Sequence, residues 1–474
     1  MPKVSVKWSG KKFDLDADTT NEPLIFKAAL FELTGVVPDR QKVVFQGKTL
    51  KDDSWNGFNI KDGSLLMMLG SSGAIPTKPA EDEPMEASSN ALVDGTKKVN
   101  LPAGMENLGN TCYMNATLQV LRAIPELRTA LDQYIDPAES TTTPKKICFT
   151  LRLLWQLLDN HPNQAITPNV FVMVLHQCFP QLATKTQHGH NEQQDANECY
   201  SEIMRCLTTE LKYQAPGQQR VDFKKFVEGV HQITMKNTEA EGEETTATET
   251  FNELSCYLSQ ETKYLQLGIN KTTETITKFS EKLGRDAKFE KTTLISRLPG
   301  YLTIQMVRFF YKEKEQINAK ILKDVKFPAI LDVFELCTPE LKAKLAPARA
   351  AFKEYEDSAV EKLRNSKLGG EDGKAKEEEE KKTPQMYHPY NFPDDAGSNN
   401  SGFYELRGVV THKGRSSNSG HYVGWVKLNA TQWVMCDDQE VHIVTEDDVM
   451  KLSGGGDWHS AYMLLYGPRK RPLN

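Results

Sequence analysis

Asn107-Leu108-Gly109-Asn110-Thr111-Cys112-Tyr113-Met114-Asn115 is a turn-forming run that opens onto a helical pattern, with Met114, Leu118 and Leu121 on one side and Pro125 closing it. Cys112 therefore falls at a helix N-terminus, where unpaired backbone N–H groups and the positive end of the helix dipole favour a thiolate. A thiolate nucleophile needs a base. Ser419-Gly420-His421-Tyr422-Val423-Gly424-Trp425 offers an imidazole at the start of a strand-like alternation, after a glycine that permits close approach. Sixteen residues beyond His421, Asp437 and Asp438 follow Trp433-Val434-Met435-Cys436, a return that suits a β-hairpin carrying Asp437 beside the imidazole. Asp437 would accept a hydrogen bond from His421, fix its tautomer and stabilise the imidazolium, with Asp438 as the alternative orienter. Asn107, five residues before Cys112, can donate its amide to an oxyanion together with the Cys112 backbone N–H; Asn110 is a rival donor or a helix cap.

The rest of the chain narrows the setting. Its 474 residues, 39% hydrophobic and 26% charged, suit a soluble protein of two or three domains, and no apolar run is long enough to span a bilayer. The N-terminus lacks the basic start, apolar stretch and cleavage site of a secretory signal, which implies a reducing cytoplasmic or nuclear setting. Eight cysteines stand singly at 112, 148, 178, 199, 206, 256, 337 and 436 without a CxxC pair, so a thiolate zinc site is not expected and at least six read as small buried side chains. His188 and His190 around Gly189 read as a polar loop, and neither a metal nor another cofactor is expected. A net charge of −6 without a clustered Lys/Arg stripe argues against nucleic acid and favours a basic protein ligand.

Residues 1–70 read as strand, Ser9-Gly10 turn, strand, a helix from Pro23 to Thr34 with Leu24, Lys27, Ala28 and Phe31 on one stripe, and further strands at Val43-Val44-Phe45 and Leu65–Leu69. This is a β-grasp pattern. The element order, Arg40–Lys48 and Asn59–Leu65 resemble ubiquitin throughout its globular part. Leu69-Gly70-Ser71-Ser72 replaces the basic tail and terminal Gly-Gly, so the domain cannot be conjugated. By that resemblance Val44, Leu66 and Met68 fall where ubiquitin carries its exposed apolar patch and are assigned to partner binding. Residues 71–100, rich in Pro, Ser, Ala, Glu and Lys, read as a flexible tether.

Residues 101–474 resemble the ubiquitin-specific protease family in ordered boxes: Asn107 to Gln119; Gln193-Gln194-Asp195-Ala196-Asn197-Glu198; Leu298 to Phe309; Lys326-Phe327-Pro328 with Leu331-Asp332; Tyr404 to Val410 with Gly420-His421-Tyr422; and Asp437-Asp438 with Ala461 to Tyr466. The resemblance implies an α+β chain, a ubiquitin-like domain followed by a papain-like protease of fingers, palm and thumb. It implies a triad of Cys112, His421 and Asp437, and ubiquitin or polyubiquitin as substrate. Asp195 and Glu198, three apart, read as one helix face suited to the arginines of ubiquitin's tail, with Gln194 orienting backbone. Leu302, Ile304 and Met306 read as a buried scaffold strand. The fingers region, Val221 to Ser296, holds only Cys256, unlike relatives with paired CxxC ligands.

A helix is expected from Pro339 to Leu363, followed by a disordered charged insertion near 366–401 that contains Glu377–Lys382. The domain order resembles family members that dock on the 26S proteasome regulatory particle through the ubiquitin-like domain and are autoinhibited when free. The run from Phe310 through Lys320 and the segment Gly414–Ser419 are placed to gate the cleft. The alternative function is a ubiquitin-binding regulator of the proteasome without chemistry, and His459 stays unassigned.

Overall fold

The computed structural model describes residues 2–69, apart from 9–10, 18, 20–22, 35, 37–40, 52–53 and 56–57. It also describes residues 101–473, apart from 136–141, 187–188, 190, 260, 271, 313–316, 369–385, 417–418 and 457. The chain divides into two compact units, Met1–Val99 and Asn100–Asn474. The expected tether, the Ser9-Gly10 turn, His188 and His190 lie outside the described residues.

In the first unit Lys3–Trp8 pairs antiparallel with Lys11–Asp16 and parallel with Leu65–Leu69, which in turn pairs with Lys42–Phe45; Lys48–Thr49 completes a five-stranded sheet. The helix Pro23–Thr34 places Phe26 and Leu30, one turn apart, in one core with Val4, Val6, Val43, Leu66 and Met68. Of the expected stripe Lys27 is buried, and the side chains of Leu24, Ala28 and Phe31 lie outside those described.

The last strand corrects the expected binding patch. Leu66 is 0% exposed and Met68 3%, whereas Leu65, Met67 and Leu69 are 53–55% exposed. Leu66 and Met68 are therefore core residues and not partner-facing ones. Val44 is half-buried and lies opposite Met67, so these two share the outer face. The assignment along Leu65–Leu69 was offset by one residue, which in a strand moves every side chain to the opposite face.

The second unit sets a helical block, Cys112–Leu121, Pro125–Asp132, Thr143–Asn160, Asn169–Cys178 and Ala196–Glu210, beside a ten-stranded sheet. The sheet runs Glu253–Tyr257, Leu302–Val307, Ser460–Pro468, Phe403–Ser416, Ser419–Lys427, Gln432–Asp437 and Glu440–Thr445 along its main path. All ten residues of the cysteine helix, Cys112–Leu121, are buried. Two glycines let the sheet approach it: a Cβ on Gly408 would stand 2.7 Å from Val120 Cγ1, and one on Gly424 would stand 3.0 Å from the Ala116 carbonyl oxygen.

A separate four-stranded sheet, Glu244–Phe251, Gly229–Asn237, Arg285–Arg297 and Thr273–Ser280, occupies the expected fingers. Its end is tied by polar side chains. Asn237, 4% exposed, donates to Glu243 Oε2 at 2.6 Å and to Ser280 Oγ at 3.1 Å, and Ser280 Oγ donates to the same carboxylate oxygen at 2.5 Å.

Leu302, Ile304 and Met306 are buried in their strand, and the residue that follows it is a fully buried arginine. Arg308 donates to the carbonyl oxygens of Ala461 at 2.7 Å, Ile321 at 3.1 Å, Lys323 at 2.8 Å and Ser453 at 2.8 Å, joining three chain segments. Burial pushes its guanidinium down to about 10, and the four acceptors compensate for the lost water.

The insertion is narrower than expected. The helix that starts at Pro339 continues to Leu368, and residues 386–401 are placed, with Ser398, Asn399 and Ser401 at most 2% exposed. Asn399 Oδ1 accepts from the Ser401 and Gly402 N–H groups, and Arg297 makes a two-point pair with Asp395. Small polar residues that look like coil composition are here satisfied by side-chain-to-backbone bonds. Residues 369–385, which include Glu377–Lys382, lie outside the described residues. No helix among the described residues is long and apolar enough to cross a membrane.

Candidate active site

Cys112 is the first residue of its helix and is 2% exposed. The loop before it is folded by one side chain: Asn107 Oδ1 accepts from the N–H groups of Gly109 at 3.0 Å and Thr111 at 3.1 Å. Gly109 and Asn110 both have left-handed backbone, φ 86° and 57°, the short polar side chain of Asn110 tolerating what most residues do not. Asn110 Nδ2 donates to the Asn191 carbonyl at 2.8 Å, so Asn110 ties the loop to a neighbouring segment, and Thr111 holds the N-cap position.

His421 lies in Ser419–Lys427 opposite Lys413, one residue after a glycine whose added Cβ would stand 2.1 Å from the Lys413 carbonyl oxygen. The antiparallel neighbour Gln432–Asp437 ends on Asp437. His421 Nε2 and Asp437 Oδ1 are 2.5 Å apart, and Cys112 is close enough to stabilise the charged imidazole. With Nε2 on the carboxylate, Nδ1 is the nitrogen that remains for the sulfur. The bond to Asp437 first, and the neighbouring Cys112 second, push His421 up to about 10. Burial raises Asp437, but the bond and charge of His421 outweigh it and leave this carboxyl below its ordinary range.

Asp438 is placed for different work. Its Oδ2 is 4.0 Å from His421 Nε2, against the 2.5 Å of Asp437, so the alternative orienter is not the one at the imidazole. Instead Oδ2 accepts from Asn107 Nδ2 and Oδ1 from Asn115 Nδ2, both at 2.8 Å, with Asp438 itself in left-handed backbone at φ 51°. Burial raises its carboxyl, against the pull of the two amides. An amide nitrogen has two hydrogens. Asn107 therefore has one fixed on Asp438 and a second that this bond does not use.

The second box is arranged differently from its sequence reading. Asp195 is the N-cap of Ala196–Glu210, accepting from the N–H groups of Asn197 and Glu198, and Tyr462 OH also donates to it at 2.6 and 2.8 Å. Asp195 and Glu198 thus do not share a helical face, because Asp195 stands outside the helix. They remain close enough that burial and then Asp195 raise Glu198. Gln194 Nε2 donates to Thr184 Oγ1 at 2.6 Å and to the Glu192 carbonyl at 3.2 Å. The residue that reaches the sulfur is its neighbour Gln193, whose Nε2 lies 3.6 Å from Cys112 Sγ.

Gln193, Asp438 in its actual role and Asn115 were missed. Asn115 had a signal, three positions after Cys112 on the same helix; Gln193 had only membership of the box. His459 lies behind the pair, its ring centre 6.4 Å from that of His421 and its Nδ1 3.2 Å from Thr411 Oγ1. The two expected gating segments meet: Phe309–Lys312 and Ile317–Lys320 form a hairpin, Ala319 pairs with Ser416, and buried Lys320 donates to the His412 carbonyl. Residues 313–316 and 417–418 are outside those described.

Comparison with known proteins decides which chemistry this geometry belongs to. A family profile described as "Ubiquitin carboxyl-terminal hydrolase" matches residues 103–466. The chain belongs to that hydrolase family. A profile described as "Ubiquitin family" matches residues 3–73. "Ubiquitin carboxyl-terminal hydrolase 14" of Caenorhabditis elegans is 41% identical, over 99% of this chain and 94% of its own length. "Ubiquitin carboxyl-terminal hydrolase 6" of Arabidopsis thaliana is 38% identical over 99% of each chain, and the protein of that name in Schizosaccharomyces pombe is 37% identical over 98% of each. As a member of the ubiquitin carboxyl-terminal hydrolases, the chain is a cysteine-type deubiquitinase that carries its own ubiquitin-like domain.

Proposed function

We propose that Cys112, His421, Asp437 and Asn107 carry the reaction, and that the substrate bond is the isopeptide bond after ubiquitin's terminal glycine. The observation that carries this reading is the 2.5 Å contact of His421 with Asp437, on an imidazole whose charged form Cys112 also stabilises. The sulfur of Cys112 attacks the glycine carbonyl carbon, forming a C–S bond while the C=O electron pair moves to oxygen. The Cys112 N–H and the second hydrogen of Asn107 Nδ2 stabilise that oxyanion, Asp438 holding the amide in place. His421 gives its proton to the leaving lysine amine, the C–N bond breaks, and the thioester is hydrolysed by water that His421 deprotonates. The acidic group of Asp195 and Glu198 is the proposed seat of the tail arginines, with Gln194 beside it.

The chain acts at the 26S proteasome regulatory particle, trimming or releasing ubiquitin from substrates in the cytoplasm, and is autoinhibited when free. Support for docking comes from the ubiquitin-like domain and its outward apolar face of Val44, Leu65, Met67 and Leu69. Support for gating comes from the pairing of the two loop segments beside His421. A ubiquitin probe with a C-terminal electrophile, applied with and without purified proteasome, tests both. Labelling that is stronger with proteasome and lost in Cys112→Ala is expected. Absence of an adduct in both conditions refutes the enzymatic reading. Shortening residues 415–418 raises basal hydrolysis, and an unchanged basal rate removes that loop from the gate.

A further inference from the structure

Cys112 is 2% exposed, so the charged form of its sulfur depends on donors the protein supplies. The helix N-terminus and His421 are two such sources. The third is Gln193, itself 8% exposed and set in the segment that leads into the Asp195 N-cap. Its carboxamide presents both ends to the sulfur: Nε2 at 3.6 Å and Oε1 at 3.9 Å from Cys112 Sγ. An amide can meet either protonation state, accepting from S–H through Oε1 or donating to S⁻ through Nε2. A carboxylate could serve only the thiol, and an apolar side chain neither. Gln194 cannot take the place of Gln193, because its own amide is held on Thr184 and Glu192.

We infer that Gln193 is a further catalytic residue, whose side-chain amide donates to the Cys112 thiolate and sets the fraction of enzyme ready to attack. This rests on Cys112 being the nucleophile. As the C–S bond forms, the negative charge passes from sulfur to the carbonyl oxygen, and the N–H···S bond weakens. The contribution is therefore made before attack, in a proton equilibrium, and is recoverable by raising pH.

The test uses the full chain and its Gln193→Met and Gln193→Glu variants. Alkylation of Cys112 by iodoacetamide is followed across pH by mass spectrometry of its peptide. Methionine keeps the volume and removes the donor; glutamate keeps the shape and adds a repelling charge. The midpoint pH of alkylation is expected to rise by about one unit in Gln193→Met and further in Gln193→Glu, with rates converging on wild type above the new midpoints. Hydrolysis of a ubiquitin C-terminal fluorogenic amide should show the same shift in its acid limb, with kcat and not KM carrying the loss at neutral pH. Unshifted midpoints in two variants whose melting temperatures match wild type would overturn the proposal, whatever their activity. Failure of the underlying reading looks different: wild type itself would then form no Cys112 adduct with the ubiquitin probe.

Discussion

Replacing Asp438 by alanine separates two jobs that adjacent aspartates could each have done. Asp438 touches the Asn107 and Asn115 amides at 2.8 Å each, whereas Asp437 holds the imidazole at 2.5 Å. A hydrogen bond to a charged group contributes about 1.5–3 kcal/mol. If the Asn107 half is realised when the oxyanion forms, kcat/KM falls about 10- to 150-fold, with KM nearly unchanged. The assay is hydrolysis of ubiquitin fluorogenic amide, run beside alkylation of Cys112 by iodoacetamide. Asp438→Ala should keep the alkylation rate, because His421 and Asp437 are undisturbed. Asp437→Ala should lose it. Asp438→Asn, which keeps one acceptor oxygen, should fall between wild type and alanine in hydrolysis. The reasoning fails if Asp438→Ala retains wild-type kcat/KM, or if it depresses alkylation as strongly as Asp437→Ala.

The His421–Asp437 pair also predicts a pH signature. His421 is raised to about 10 from its ordinary 6.5 and Asp437 is lowered from 3.8, so their stabilisation is full between those ordinary values. The melting-temperature gap between wild type and Asp437→Asn should be widest between about pH 4 and 6.5 and close toward pH 10, and a gap that widens with alkali contradicts this. Leu66→Ala should destabilise the N-terminal unit by about 2–5 kcal/mol, whereas Met67→Ser stays within about 0.5 kcal/mol and weakens proteasome binding; denaturant unfolding with a pull-down reads both. Arg308→Met leaves four carbonyls to find other partners and should cost about 3–5 kcal/mol by thermal or denaturant unfolding, a loss under 1 kcal/mol being the refuting result.

The parts of the site legible in sequence were those governed by local rules. A turn before a helix put Cys112 at an N-terminus, and a glycine before an imidazole permitted an approach that no Cβ could make. A hairpin return brought Asp437 to His421. The misreadings occurred where position depends on an offset of one. Leu66 and Met68 went to the wrong face because ubiquitin's pattern was laid on the strand one residue out of step. Asp195 was read as helical when its backbone is extended and its side chain caps the helix. Gln193 was passed over because nothing in an adjacent pair of glutamines says which amide turns toward sulfur. Asp438 holding Asn107, 331 residues away in sequence, is a contact that spacing cannot announce.

The glycines behind the cysteine helix have a consequence for inherited or screened variants. Gly408 and Gly424 lie within strands, Gly424 three residues beyond His421, and a single methyl at either meets Val120 or the Ala116 carbonyl at 3.0 Å or less. The seat of the nucleophile is thus set by the absence of two side chains. A substitution there would be scored as a conservative change within a strand, and would act as an active-site lesion by lifting sulfur away from imidazole. The surface loops can vary in length and composition without that penalty, so intolerance to mutation in this protein should trace the hidden back of the helix more sharply than the visible rim of the cleft.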